Sequence, residues 1–219
     1  MNILDELLDA KIISIIRGVP SEYVLPAAAA LERGGVQFAE VTYKPEDEAA
    51  CADTLKSIRL LKQQYFGKMH IGAGTVLTVR QVEDAAEAGA EFIISPNTNT
   101  AVIQRTKELH LISIPGAYTP TEAEAAWEAG ADFIKIFPAD TLGPAYFKAV
   151  MSSLSHLRLI ATGGVSEKNI ESFMAVGVSG FGIGSNLVSA DRINRGAWAE
   201  IEKDALFYTS AVKNTNNIV

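Results

Sequence analysis

The sequence predicts a (β/α)₈ barrel preceded by a short N-terminal helix. Short apolar runs alternate with helical stretches along the whole chain, the pattern of parallel strands joined by crossover helices. Eight such units within 219 residues suit a compact barrel of this kind. A weak repeat, Gly-x-x-Phe, marks the passage from helix to strand in GGVQFAEV (34–41), AGAEFIIS (88–95) and AGADFIKI (129–136).

Taken in order, residues 2–9 read as an amphipathic helix with Ile3, Leu4, Leu7 and Leu8 on one side, suited to covering the bottom of the barrel. The strands are read as KIISIIRG (11–18), VQFAEVTY (36–43), MHIGAG (69–74), EFIISP (91–96), LISIPG (111–116), DFIKIFP (132–138), LRLIATGG (157–164) and SGFGIGS (179–185). Among the intervening helices, the one after Thr119 carries the clearest signals. Pro120 suits its first turn, Glu122 stands at the capping-box position, and Gly130 suits its stop. The last helix carries Trp198, Ile201, Ala205, Tyr208 and Val212 on one face, and NTNNIV reads as a frayed tail. No linker or low-complexity segment interrupts the chain, so residues 1–219 read as one domain.

The repeat also sets a register. Five residues beyond the glycine that ends each helix lie Glu40, Ile94 and Lys135, and the same count from Gly177 reaches Gly182. These positions fall on alternate strands, which in such a barrel supply the four side chains of one interior layer. Glu40 and Lys135 are therefore expected inside, in one layer.

Composition excludes several classes of function. Hydrophobic residues make up 48% and charged residues 21%, an ordinary globular balance. The net charge of −7 and pI near 5.0 disfavour general nucleic-acid binding, which needs a basic face. A small anion held by a few local cations stays within reach. Cys51 is the only cysteine, so no internal disulfide is expected. The N-terminus is acidic and no run of eighteen apolar residues occurs, so neither a signal peptide nor a membrane span is expected. The expected compartment is the cytoplasm. His70, His110 and His156 fall before or at strand starts, away from the expected site, and their spacing suggests no metal centre.

In barrels of this type chemistry sits at the C-terminal ends of the strands. Those ends are Arg17, Glu40, Thr75, Pro96, Pro115, Lys135, Thr162 and Ser185. Lys135 stands among apolar neighbours in ADFIKIFPAD. Burial there, with another cation near, lowers its pKa and frees the amine as a nucleophile suited to a ketone. Glu40 is placed to move protons around the adduct; the plainer reading is a Lys135–Glu40 ion pair without chemistry. The Arg17 fork suits a carboxylate, or a salt bridge to Glu40. The loops ATGGVSEKN (161–169) and GIGSNLV (182–188) follow strands seven and eight. There this fold commonly binds phosphate, and Gly163, Gly164, Gly184 and Ser185 are the candidates.

With these residues assembled, the sequence resembles the class I aldolases that cleave 2-keto-3-deoxy-6-phosphogluconate or 4-hydroxy-2-oxoglutarate. The resemblance covers nearly the whole chain. It rests on AEVT (39–42), GAGTVLT (72–78), ISPN (94–97), PGAYTPTE (115–122), KIFPAD (135–140) and ATGGV (161–165). It implies Lys135 as the Schiff-base lysine and Glu40 as the general acid/base. Thr75, Pro96 and Phe137 would line the pyruvyl end, and Gly163, Gly164 and Ser185 would hold the phosphate. It also implies a 2-keto acid substrate, no metal or other cofactor, and a homotrimer.

One position departs from the pattern. Several members carry an arginine four residues after the glutamate, where this chain has Lys44; others carry one at the end of strand one, as Arg17 here. The carboxylate role therefore goes to Arg17, with Lys44 as a helper. GPAYFKAV (143–150) is also seen in relatives acting on the galactonate epimer. Two further classes are weighed: an isomerase or epimerase on a phosphate-binding barrel, disfavoured because Glu40 is the only clear acid at a strand end, and a non-catalytic phospho-ligand sensor.

Overall fold

A computed structural model describes residues 2–214. Helix α1 (Ile3–Ala10) opens the chain, and the Asn2 side chain caps it by accepting from the Asp5 N–H at 2.9 Å. The strands are β1 (Ile12–Ile16), β2 (Phe38–Thr42), β3 (His70–Gly74), β4 (Phe92–Ile94), β5 (Ile112–Ile114), β6 (Gly116–Ala117), β7 (Ile134–Ile136), β8 (Leu159–Thr162) and β9 (Gly180–Ile183). All pair in parallel, in the order β5-β4-β3-β2-β1-β9-β8-β7-β6. Sequential neighbours thus lie side by side around a nearly closed (β/α)₈ barrel.

One predicted strand differs. LISIPG (111–116) was expected as a single strand, but it forms β5, which pairs with β4, and β6, which pairs with β7. Pro115 separates them. Proline has no N–H for the ladder, but its carbonyl still accepts from the Lys135 N–H at 2.8 Å. The barrel's fifth strand is therefore two short pieces that meet the sheet's two edges.

The crossover helices are α2 (Ser21–Arg33), α3 (Glu48–Gln64), α4 (Val79–Glu87), α5 (Thr100–Glu108), α6 (Pro120–Glu128), α7 (Ala139–Ser153) and α8 (Ile170–Met174); α9 (Ala190–Asn194) and α10 (Trp198–Asn214) follow the last strand. The capping box expected at Thr119 and Glu122 is formed. Ile201, Ala205, Tyr208 and Val212 of α10 are buried, as the apolar face predicts. Of the NTNNIV segment, residues 215–219 lie outside the described residues.

The repeat builds the barrel interior. Phe38, Phe92 and Phe133 form its floor with Ile13, Ile112, Ile160 and Leu7, the last reaching up from α1. Two residues further along each strand, on the same face because side chains alternate, come Glu40, Ile94, Lys135 and Gly182, all lining one internal space. The floor is apolar and sealed, and the layer above it is where charge enters.

Candidate active site

A cleft of about 520 Å³ opens at the C-terminal ends of the strands. Ten of the residues predicted from the sequence line it: Arg17, Thr75, Pro96, Lys135, Phe137, Thr162, Gly163, Gly164, Gly184 and Ser185. Glu40 does not reach this wall. It lies one step deeper, in the enclosed space that shares Ile15, Lys135, Thr162 and Gly182 with the cleft. Lys44 is not brought in. It is exposed, paired with Asp47 at 3.1 Å, in a neighbouring groove that also includes Arg17.

Lys135 is 5% exposed and Glu40 1%. Among the described residues neither a hydrogen bond nor an ion pair joins them, and the Glu40 Oε2 atom has no partner. The Lys135 Nζ lies 5.3 Å from the centre of the Phe137 ring. Burial holds the Lys135 pKa below the ordinary lysine value; the Glu40 charge opposes this and the Arg17 charge adds to it. Burial likewise pushes the Glu40 pKa up, against the opposing effects of Lys135 and Arg17. Each group is thereby moved toward its neutral form.

Thr75 has φ 59, a left-handed conformation that a β-branched residue adopts only at a cost. It follows β3 and turns its residue toward the cleft. No sequence signal announces this strain. On the opposite wall, Gly163 (φ +90) and Gly164 (φ +72) also take left-handed conformations, where glycine alone is free of penalty. A methyl group on Gly164 would collide with the Asp140 carboxyl. The loop is tied down through its carbonyls: Gly163 O accepts from Asp140 N–H at 3.1 Å, and Gly164 O from Asn169 Nδ2 at 2.9 Å. Among the described residues the N–H groups of Gly163, Gly164 and Ser185 donate to nothing. Free donors at the N-terminal approach to helices suit an anion.

Sequence reasoning had not named Ile15, Val165, Asn186, Val188, Ser189 or Ala190 as part of this wall. Asn186 and Val188 sat inside the GIGSNLV motif, so its glycines were the signal. Asn186 Nδ2 donates to Val165 O at 2.7 Å and links the two loops.

An amine whose pKa is lowered by burial is suited to adding to a ketone carbon, and a nearby carboxyl is suited to exchanging protons with the adduct. An enzyme working this way is a class I aldolase, a carbon–carbon lyase. The comparisons narrow the class. Residues 3–204 match the family model described as KDPG and KHG aldolase, and the chain belongs to that family. It is 38% identical over 181 residues to the probable 2-dehydro-3-deoxy-6-phosphogalactonate aldolase of Rhizobium meliloti, covering 82% of each chain. It is 31% identical over 201 residues to the 2-dehydro-3-deoxy-phosphogluconate aldolase of Haemophilus influenzae, covering 91% of each. Among solved structures it is similar to the KDPG aldolase of Legionella pneumophila with pyruvate captured at low pH as a covalent carbinolamine intermediate. The TM-score is 0.84 at 29% identity, covering 94% of this chain and 98% of that one.

Proposed function

We propose that this aldolase cleaves 2-keto-3-deoxy-6-phosphogluconate to pyruvate and glyceraldehyde 3-phosphate, and 4-hydroxy-2-oxoglutarate to pyruvate and glyoxylate. The carrying observation is the buried, unpaired Lys135 on the floor of a cleft whose far wall presents the free N–H groups of Gly163, Gly164 and Ser185.

In this reading the Lys135 amine adds to the C2 ketone, Glu40 supplies the proton with which the former ketone oxygen leaves as water, and an iminium and the Glu40 carboxylate result. The iminium draws in the electron pair of the C3–C4 bond. The C4 hydroxyl proton passes through a water to Glu40, the aldehyde departs, and an enamine remains. Glu40 returns a proton to C3, and hydrolysis frees pyruvate and Lys135. The relayed proton is supported by the position of Glu40 below the cleft rather than in its wall. Its burial-raised pKa suits a group that must both take and give a proton.

Thr75, Pro96, Phe137 and Thr162 enclose the pyruvyl end, and Arg17 binds the carboxylate. Gly163, Gly164, Gly184 and Ser185 hold the phosphate some distance along the cleft. Lys44 serves only as a long-range positive charge, since its partner is Asp47. Residues 1–219 act as one domain in a cytoplasmic homotrimer, a reading supported by the family resemblance; among the described residues no helix is long and apolar enough to cross a membrane.

The test has two arms. Borohydride reduction with pyruvate should add a three-carbon mass to one lysine, and its absence would overturn the aldolase mechanism in favour of an isomerase or a sensor. Retro-aldol assays on both phosphorylated epimers and on 4-hydroxy-2-oxoglutarate then fix the substrate. Preference for the galactonate epimer would overturn the choice made here.

A further inference from the structure

Strand β3, HIGAG, turns Gly72 and Gly74 toward the barrel interior and Ala73 away from it, since its register pairs Gly72 with Glu40 and Gly74 with Thr42. Neither glycine has a positive φ, so neither is required by its backbone conformation. What excludes a side chain is the neighbour. A methyl group on Gly72 would lie 2.5 Å from the Phe92 ring carbon Cζ, in the apolar floor. A methyl on Gly74 would meet the Glu40 Oε2 atom, lie 2.7 Å from the Glu40 carboxyl carbon, and lie 2.9 Å from Thr42 Cγ2. The Glu40 carboxyl therefore occupies the space that a side chain on β3 would fill. Among the described residues its Oε2 atom has no hydrogen-bond partner, so no hydrogen bond at that atom holds it and the shape of the slot limits where it can sit.

We infer that Gly74 is a positioning residue: its missing side chain is the slot that holds the Glu40 carboxyl below Lys135. The inference rests on the proton-transfer role proposed for Glu40. A carboxyl with no fixed partner stays at the reacting atoms only if the walls leave it one place to go. Filling that place with a methyl group moves the carboxyl away from the proton relay while leaving Lys135, the phosphate loop and Arg17 untouched. The two glycines of one strand thus have different reasons. Gly72 makes room for an aromatic ring, and Gly74 makes room for a working acid.

The test is a double-variant cycle on Gly74→Ala and Glu40→Gln. Gly74→Ala should lower kcat by at least about 10-fold, within the range for loss of a general acid/base. KM should stay near that of the parent chain, and borohydride trapping of pyruvate should be retained. The pH profile of kcat should shift, a change that a purely structural defect would not produce. In the Glu40→Gln background, Gly74→Ala should cost almost nothing further, because residues acting as one unit are not additive. If the losses multiply, or if Gly74→Ala keeps full kcat, the inference is overturned. If Gly74→Ala does not fold, Gly74→Ala with Glu40→Ala must restore folding, because the second change empties the slot; failure to restore it also overturns the inference. Unchanged turnover in Glu40→Gln alone would instead remove the proposed role of Glu40, and this inference with it.

Discussion

Lys135 and Glu40 face one internal space from β7 and β2, across the barrel from each other, and no hydrogen bond or ion pair connects them. Two buried ionisable groups of opposite sign usually approach to contact, because an unpaired buried charge is costly. Here contact is withheld. The layer holds the two side chains beyond ion-pair reach, with Lys135 bordering the cleft and Glu40 in the enclosed space beside it.

The first expectation concerns the cost of that arrangement. Lys135→Met should abolish turnover and pyruvate trapping, yet raise thermal stability near neutral pH. The folded-state pKa of Lys135 lies below its ordinary value. The unfolded chain therefore binds a proton that the folded chain resists, which costs folded stability as pH falls below about 10.4, the ordinary lysine value. The stability gain of Lys135→Met over the parent should shrink as pH rises toward that value. Melting curves of both proteins from pH 7 to pH 10 measure it; a gain that grows with pH would contradict the depressed pKa.

Arg17 makes no hydrogen bond or ion pair among the described residues, and it borders both the cleft and the groove that includes Lys44. Arg17→Lys replaces a planar fork with a point charge. It should weaken pyruvate binding by about 1.5–3 kcal/mol, the range for a hydrogen bond to a charged group. Titration with pyruvate, followed by trapping yield, reads this. Undiminished trapping together with poorer use of phosphorylated substrate would move Arg17 to the phosphate end.

Gly164→Ala should raise KM for phosphorylated substrate far more than for 4-hydroxy-2-oxoglutarate. The added methyl is strained by the left-handed backbone and collides with Asp140, so the loop must shift and its N–H groups lose their aim. Steady-state kinetics on the two substrates decide the matter. Equal effects would place the phosphate elsewhere.

At the other end of the barrel, His70 stacks on Phe38 and sits between two carboxylates. Nε2 is 2.8 Å from Glu6 on α1, and Nδ1 is 3.1 Å from Glu91, which also pairs with Lys62 at 2.9 Å. Two acceptor carboxylates, one at each ring nitrogen, suit the imidazolium, which alone donates from both. The hydrogen bond to Glu91 is the chief cause of a raised His70 pKa, with burial opposing. Burial alone would raise the Glu91 pKa, but the bonds from His70 and Lys62 lower it to about 2. The stabilisation from His70 is therefore fully present below pH 6.5 and lost as pH rises through its raised pKa. That from Glu91 is present above pH 4.5 and lost as pH falls toward 2. Protection of the α1 amides, measured against their intrinsic exchange rates, should be greatest between these limits, and His70→Gln should flatten its dependence above pH 6.5. Protection of α1 that stays flat with pH in the parent chain would rule out a stabilising tie from His70 to Glu6.

Much of this molecule was legible in one dimension. The alternation of apolar runs and capped helices gave the barrel, because strand and helix periods differ and each must bury a face. The Gly-x-x-Phe repeat placed the phenylalanines two residues below Glu40, Ile94 and Lys135, and the two-residue period of a strand then turned all of them inward. Six of the cleft residues, Arg17, Thr75, Pro96, Lys135, Thr162 and Ser185, could be named because strand ends follow from strand positions; Gly163, Gly164 and Gly184 came from the loops after strands seven and eight, and Phe137 from the family resemblance.

What the tertiary structure alone decided concerns distances and competition between groups far apart in sequence. Pro115 divides a strand because of which edges its neighbours meet, and Lys44 stays outside the cleft, exposed and paired with Asp47 in the neighbouring groove. The left-handed Thr75 and the shape-made slot at Gly74 have no local signature. The sequence also left open whether Lys135 and Glu40 form a pair or merely share a layer. Periodicity fixes the face a side chain takes; only the closed barrel, with its twist and packed walls, fixes how far across the interior that side chain reaches and what it meets there.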